Sequence, residues 1–173
     1  MARILMVIAP KNFRDSEYFV TKNVLEAAEH EVLTASKTAG EAVGFEGQIA
    51  NVEYRLSQIE VEPYQAVVFI GGEGMNELVN DEEMVREAKK FYELGKVTAA
   101  ICVASAILAN AEILRGKKAT SWAGVKDLLT QKGALYVDQE VVQDGKVITA
   151  IGPGAAKAFG EKIVEVLKSS SEV

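Results

Sequence analysis

Val97-Thr98-Ala99-Ala100-Ile101-Cys102-Val103-Ala104-Ser105-Ala106 is the stretch whose reading decides the fold. Val97 to Ile101 reads as a strand buried on both faces, because it is apolar on successive residues instead of alternate ones. Val103 to Ala111 is helical in length and apolar nearly all round, which predicts an interior helix. A buried strand running straight into a buried helix is one half of a parallel crossover unit. At the joint sits Cys102, with the small residues Ala100 and Ala104 two places to either side. In serine hydrolases the same joint holds a nucleophile elbow of the form G-x-S-x-G, where crowding at a sharp turn demands small neighbours. The spacing here predicts the same device with a thiol as nucleophile.

Working outward, Ile4 to Ala9 and Ala66 to Ile70 read as further strands buried on both faces. Glu31 to Ser36 is a strand, and Ala134 to Val137 and Glu140 to Ile151 supply more, the latter turning at Asp144-Gly145. Helices are predicted from Ser16, as N-cap, to about Glu29 with Val20, Val24 and Ala28 inward, and after Asp81 with Val85, Ala88 and Tyr92 inward. Others are expected over Ala123–Gln131 and Gly154–Lys168, the last facing inward through Ala155, Phe159, Ile163 and Val166. Residues 37 to 62 show no clear period beyond a short strand near Ile49 to Val52. Ser169 to Val173 read as a frayed tail. Apolar strands alternating with helices define an α/β chain with a mostly parallel sheet covered on both sides, read as one domain over residues 1–173.

The net charge is −6, and no basic stripe is present, so neither nucleic acid nor an anionic membrane is expected as a partner. One cysteine allows no intrachain disulfide, which suits a reducing compartment. Ile4 to Ala9 is too short for a signal core, and no segment has the length of a membrane span, so a cytoplasmic location is expected. A single His and a single Cys give no metal-ligand spacing. Gly72-Glu73-Gly74 lacks the third glycine of a dinucleotide loop, and no cofactor is expected. Gly71-Gly72 instead end the strand beside Cys102. There the Gly72 and Val103 amides are placed to hold an oxyanion.

Several segments in order and spacing resemble the ThiJ/PfpI (DJ-one) superfamily over almost the whole chain. They are Asp15-Ser16-Glu17, His30-Glu31-Val32, Phe69-Ile70-Gly71-Gly72, Gly95-Lys96, Ala100-Ile101-Cys102, Leu114 to Thr120 and Gly152-Pro153-Gly154. The resemblance implies a flavodoxin-like three-layer sandwich, assembled as a homodimer or a higher oligomer. It implies that Cys102 is the nucleophile and that Glu17 is the carboxyl group touching its sulfur. Gly71, Trp122, Arg14 and Pro153 are expected around the pocket, and an acid from a neighbouring subunit would fall near Asn76 or Glu77.

The departures narrow the chemistry. PfpI-type peptidases place His directly after the cysteine, where this chain has Val103. Glyoxalase- or deglycase-type members often carry His or Tyr where Trp122 stands, and Trp is no base. Arg14 replaces a Glu found in many members. Residues 148 to 160 contain no His, against glutaminase chemistry. The only histidine, His30, falls at a helix-to-strand junction. What remains is a thiol acting on small electrophilic carbonyls with Glu17 as proton carrier. The alternative is a peroxide-sensing thiol, with a peptidase or a non-catalytic interaction module behind both.

Overall fold

Ile4 to Val7 carry no charge and no hydrogen-bonding side chain, and all four are fully buried, which only an interior strand allows. The computed structural model describes residues 1 to 171 and builds outward from that strand. The first half of the chain runs β1 (Arg3–Val7), β2 (Lys11–Phe13), α1 (Asp15–Ala27), β3 (Glu31–Ser36), β4 (Gly40–Gly44), β5 (Ile49–Val52), β6 (Tyr54–Arg55) and β7 (Ala66–Phe69). The second half runs α2 (Glu82–Glu93), β8 (Val97–Ile101), α3 (Ser105–Asn110), β9 (Lys118–Ala119), α4 (Lys126–Gln131), β10 (Leu135–Tyr136), β11 (Val141–Asp144), β12 (Val147–Ala150) and α5 (Ala156–Ser171).

The main sheet has the order β11-β12-β8-β7-β1-β3-β6 and is parallel except for β11, which pairs antiparallel with β12. Alternate residues of each strand feed opposite faces. Ile4 and Met6 of β1 join Tyr18, Leu25, Phe159 and Ile163 from α1 and α5. Leu5 and Val7 join Met84, Phe91, Ile107 and Leu108 from α2 and α3. The result is the three-layer α/β sandwich with a mostly parallel sheet that the sequence predicts. β8 lies between β7 and β12, so Cys102 leaves the sheet at its middle.

Two helices turn differently from the expectation. α1 begins at Asp15 with Arg14 at the cap position, and no side chain caps it; Ser16 is not the N-cap. Its buried residues are Asp15, Glu17, Tyr18, Thr21 and Leu25, while Val20 is exposed. The helix buries polar groups because it serves the site. Asp15 accepts the Glu46 and Gln48 amides at 2.8 and 3.0 Å, tying the β4–β5 hairpin to it. α2 faces the core through Met84, Ala88 and Phe91, one position round from Val85 and Tyr92. An i, i+3, i+4 pattern fits either of two adjacent stripes, and the wholly apolar Phe91 takes the interior while Tyr92, with its hydroxyl, stays at the edge.

Residues 37 to 62 contain β4, β5 and β6, with β2, β4 and β5 forming a small separate sheet. β9 and β10 form a parallel pair. α5 extends through Ser169 to Ser171, and the part of the tail at Glu172 and Val173 lies outside the described residues. No helix among the described residues is long and apolar enough to cross a membrane.

Asp81 caps α2 as predicted, accepting the Glu83 and Met84 amides at 3.1 Å, and it also takes Lys37 Nζ at 2.9 Å. Asp81→Ala is expected to lower unfolding free energy by about 1 kcal/mol, the usual cost of a lost cap. A urea titration with an unchanged midpoint contradicts this.

Candidate active site at the Cys102 elbow

β8 ends at Ile101 in extended geometry, and Cys102 then takes φ +62° before a 3-10 turn over Cys102–Ala104. A left-handed side-chain-bearing residue costs on the order of 1–3 kcal/mol, and such strain collects at functional sites. Ala100 and Ala104 are fully buried on either side, so larger side chains at those positions would not fit the turn. The Cys102 carbonyl accepts the Ser105 amide within the turn and the Trp122 amide at 3.4 Å, which anchors the turn from two directions.

Phe69 of β7 pairs with Ala100 of β8, so Gly71 arrives level with Cys102. Glu17 comes to the same place from the first turn of α1. Its carboxyl is fully buried, and Oε1 accepts the Gly71 N–H at 2.9 Å. Oε2 is also buried and takes no formed hydrogen bond among the described residues. The thiol lies within hydrogen-bonding reach of the carboxyl, and each group moves the other's ionisation.

Gly71 has to be glycine. A Cβ there would stand 2.7 Å from Glu17 Oε1, 2.8 Å from Cys102 Cβ and 3.0 Å from the Ile101 carbonyl. Gly71→Ala is therefore expected to displace the carboxyl and cut Cys102-dependent turnover by about 10- to 100-fold, since misplacement near 1 Å costs that much. Wild-type rates in this variant contradict the placement. Gly72 follows at φ +117°, with Arg14 N only 2.4 Å from where its Cβ would be.

The electrostatics differ from the expected standing thiolate. Burial pushes Glu17 up to about 7, against the Gly71 N–H, the thiol and the Arg14 charge, which all pull it down. Burial also pushes the Cys102 thiol up to about 12, the Glu17 charge adding to this, while the Val103 N–H and Arg14 favour the ionised sulfur. The helix after the elbow is short, α3 having six residues, so its dipole does not offset burial. Between about pH 7 and 12 the pair thus carries one negative charge, resting on the carboxyl. The thiolate forms when Glu17 takes the thiol proton.

The other expected residues gather at the same end of the sheet to different degrees. Val103 is buried with its amide toward the sulfur. Arg14 is half-buried. Trp122 is 48% exposed, and its ring lies over Gly124. Pro153 opens the 3-10 turn after β12, whose Ala150 pairs with Ile101. Asn76 and Glu77 are exposed, and Glu77 lines a groove of about 450 Å³ with Lys11, Asn12 and Lys37 that includes neither Cys102 nor Glu17. A hollow of about 560 Å³ at the opposite end of the sheet, among His30, Lys96 and Lys146, also lacks them. His30 accepts the Ala2 amide there and is no base for Cys102.

Sequence reading missed Tyr136. Its hydroxyl donates to the Ser121 carbonyl at 2.9 Å and holds the Trp122 loop, a role only tertiary packing reveals. Among the described residues no group of three or more His, Cys, Asp or Glu side chains is arranged to hold a metal.

A parallel sheet that ends in a left-handed cysteine, with a buried carboxyl beside it, defines a flavodoxin-like protein with a thiol at the carboxyl edge of its strands. The family model described as DJ-1/PfpI family matches residues 2–166. The chain belongs to that family. It is 40% identical over 174 residues to an uncharacterised protein of Methanocaldococcus jannaschii, covering 99% of this chain and 85% of that one. It is 33% identical to a Pyrococcus abyssi protein named a deglycase, covering 95% and 99%. The crystal structure of a ThiJ/PfpI domain protein from Brachyspira murdochii superposes with a TM-score of 0.95 at 33% identity, covering 96% of each chain.

Proposed function

We propose that the protein acts on small electrophilic carbonyls, such as 2-oxoaldehydes and their adducts, through Cys102. The observation that carries this is the Glu17 carboxyl, buried against the Cys102 elbow and titrating near 7. A base poised near the working pH is what general acid–base catalysis requires. The name of the Pyrococcus abyssi relative points the same way.

In this reading Glu17 takes the thiol proton as sulfur adds to the aldehyde carbon. The carbonyl electron pair moves to oxygen, against the Val103 and Gly72 amides, and Glu17 returns the proton to give a hemithioacetal. With a 2-oxoaldehyde, Glu17 then moves the C1 proton to C2 through an enediol. The aldehyde carbon is oxidised to a thioester while the keto carbon is reduced to an alcohol, so no external oxidant is used. Water cleaves the thioester and frees the 2-hydroxy acid and the thiol. The test is methylglyoxal consumption with lactate formation by the purified protein. Absence of both overturns the reading.

A second reading is favoured by Cys102 being partly solvent-accessible and free. Hydrogen peroxide would transfer oxygen to the thiolate and leave as water, giving sulfenate and, with a second peroxide, sulfinate. Mass spectrometry after mild peroxide should show two added oxygens on Cys102. Their absence removes this role.

A further inference from the structure

Arg14 is the residue at the cap position of α1, three residues before Glu17. Both hold one residue, Gly71, through the peptide groups on its two sides: Arg14 N–H donates to the Gly71 carbonyl at 3.0 Å, and Glu17 Oε1 accepts the Gly71 N–H at 2.9 Å. Arg14 is thereby fixed beside the glycine that faces Cys102. A surface arginine gives its donors to water or to a carboxylate. Arg14 does neither at Nε, which is sealed from solvent and has no partner among the described residues. No ion pair among the described residues includes it. Nε is closed to any incoming group, whereas the terminal nitrogens are neither sealed nor hydrogen-bonded among the described residues, so an anionic acceptor would meet the guanidinium there. Its charge favours the ionised forms of both Glu17 and Cys102.

We infer that Arg14 makes the Cys102 site selective for carbonyl electrophiles that carry a carboxylate next to the reacting carbon, the carboxylate accepting from Arg14. The inference rests on Cys102 being the attacking group, and it names the substrate class within that reading. Glyoxylate is the smallest such compound. Sulfur adds to its aldehyde carbon, the C=O electron pair moves to oxygen, and the thiol proton passes through Glu17 to that oxygen. A 2-oxoaldehyde captured on the amino group of an amino acid presents the same carboxylate a bond or two further away.

The test compares two alkylating agents of nearly equal shape, iodoacetate and iodoacetamide, at pH 7. Each is displaced by the Cys102 thiolate with loss of iodide, and each rate is normalised to a small free thiol. The thiolate fraction cancels in the ratio of the two rates, which leaves the anion preference. The ratio is expected to fall about tenfold in Arg14→Met, the size of a charge-assisted hydrogen bond, and to recover in part in Arg14→Lys. A ratio in Arg14→Met that stays within about twofold of wild type overturns the inference. The iodoacetamide rate reports whether the variant has kept its elbow. A protein that shows the ratio effect but consumes no methylglyoxal keeps this inference and loses the catalytic reading. Methylglyoxal turnover with an unchanged ratio does the reverse.

Discussion

Cys102→Ala is expected to bring methylglyoxal consumption down to the buffer background, a loss of at least about 1,000-fold, since removing a nucleophile leaves only binding and oxyanion stabilisation. Cys102→Ser should do no better. A hydroxyl loses its proton far less readily than a thiol and is a poorer nucleophile toward the carbonyl. Stability should move differently. The φ of +62° strains any residue with a Cβ, so alanine keeps that strain. Cys102→Gly relieves it and is expected to raise unfolding free energy by about 1 kcal/mol over Cys102→Ala. The paired measurement separates chemistry from structure. If turnover survives in Cys102→Ala, the activity belongs elsewhere in the molecule. If glycine is no more stable than alanine, the elbow stores no strain.

The reactive thiol sits where the fold is least comfortable, and that explains which parts of the molecule were legible in the sequence. β1, β7 and β8 are largely apolar on successive residues, and β3 less so, because strands covered on both faces bury nearly every side chain. Their bounds follow from composition within a residue or two, and β3 and β8 match in full. β4 was not legible: Gly40 to Gly44 mixes two glycines with an acid and lies in a small sheet with one exposed side. α1 misled for a functional reason. Its apolar residues suggest Val20 and Val24 as the inner stripe, yet it buries Asp15, Glu17 and Thr21. Hydropathy cannot anticipate a helix whose inner face carries the polar groups of a site.

The site divides along the same line. Cys102 and the small residues around it follow from local sequence, since an elbow is a local structure. The meeting of Cys102 with Glu17 joins positions far apart in the chain, and only the family resemblance suggested it. The holding of Gly71 on both sides, by the Arg14 N–H and the Glu17 carboxyl, was visible in neither way. The ionisation balance was likewise out of reach, because burial is a tertiary property. A helix terminus alone argues for a thiolate, whereas the surrounding hydrocarbon reverses that sign.

Glu17→Gln should make the opposite case, raising raw thiol reactivity while ending catalysis. In wild type, iodoacetamide alkylation of Cys102 should climb with pH up to about 7 and then level off. Past that point the second ionisation, near 12, must wait for the pair's existing negative charge. The thiolate is then available only as the fixed minor form in which Glu17 holds the proton, and a fixed ratio is independent of pH. Glutamine imitates the neutral carboxyl at all pH values. Below about pH 6 the variant should therefore match wild type, and above 7 it should keep rising by a decade per pH unit, reaching about thirtyfold over wild type at pH 8.5. Turnover should nevertheless be lost at every pH, because no group remains to carry the proton from sulfur to oxygen. Stability supplies an independent reading with the sign fixed by the same shift. A carboxyl raised from 4.5 to about 7 stabilises the fold only while protonated, so its contribution is complete below about 4.5 and disappears as pH rises through 7. Glu17→Gln should then unfold at a higher temperature than wild type at pH 8, by up to about 3 kcal/mol in free energy, and show no gain at pH 4. A wild-type alkylation rate that continues to rise between pH 7 and 9 would show that Glu17 and Cys102 do not share one charge, and the proton-carrier role of Glu17 would go with it.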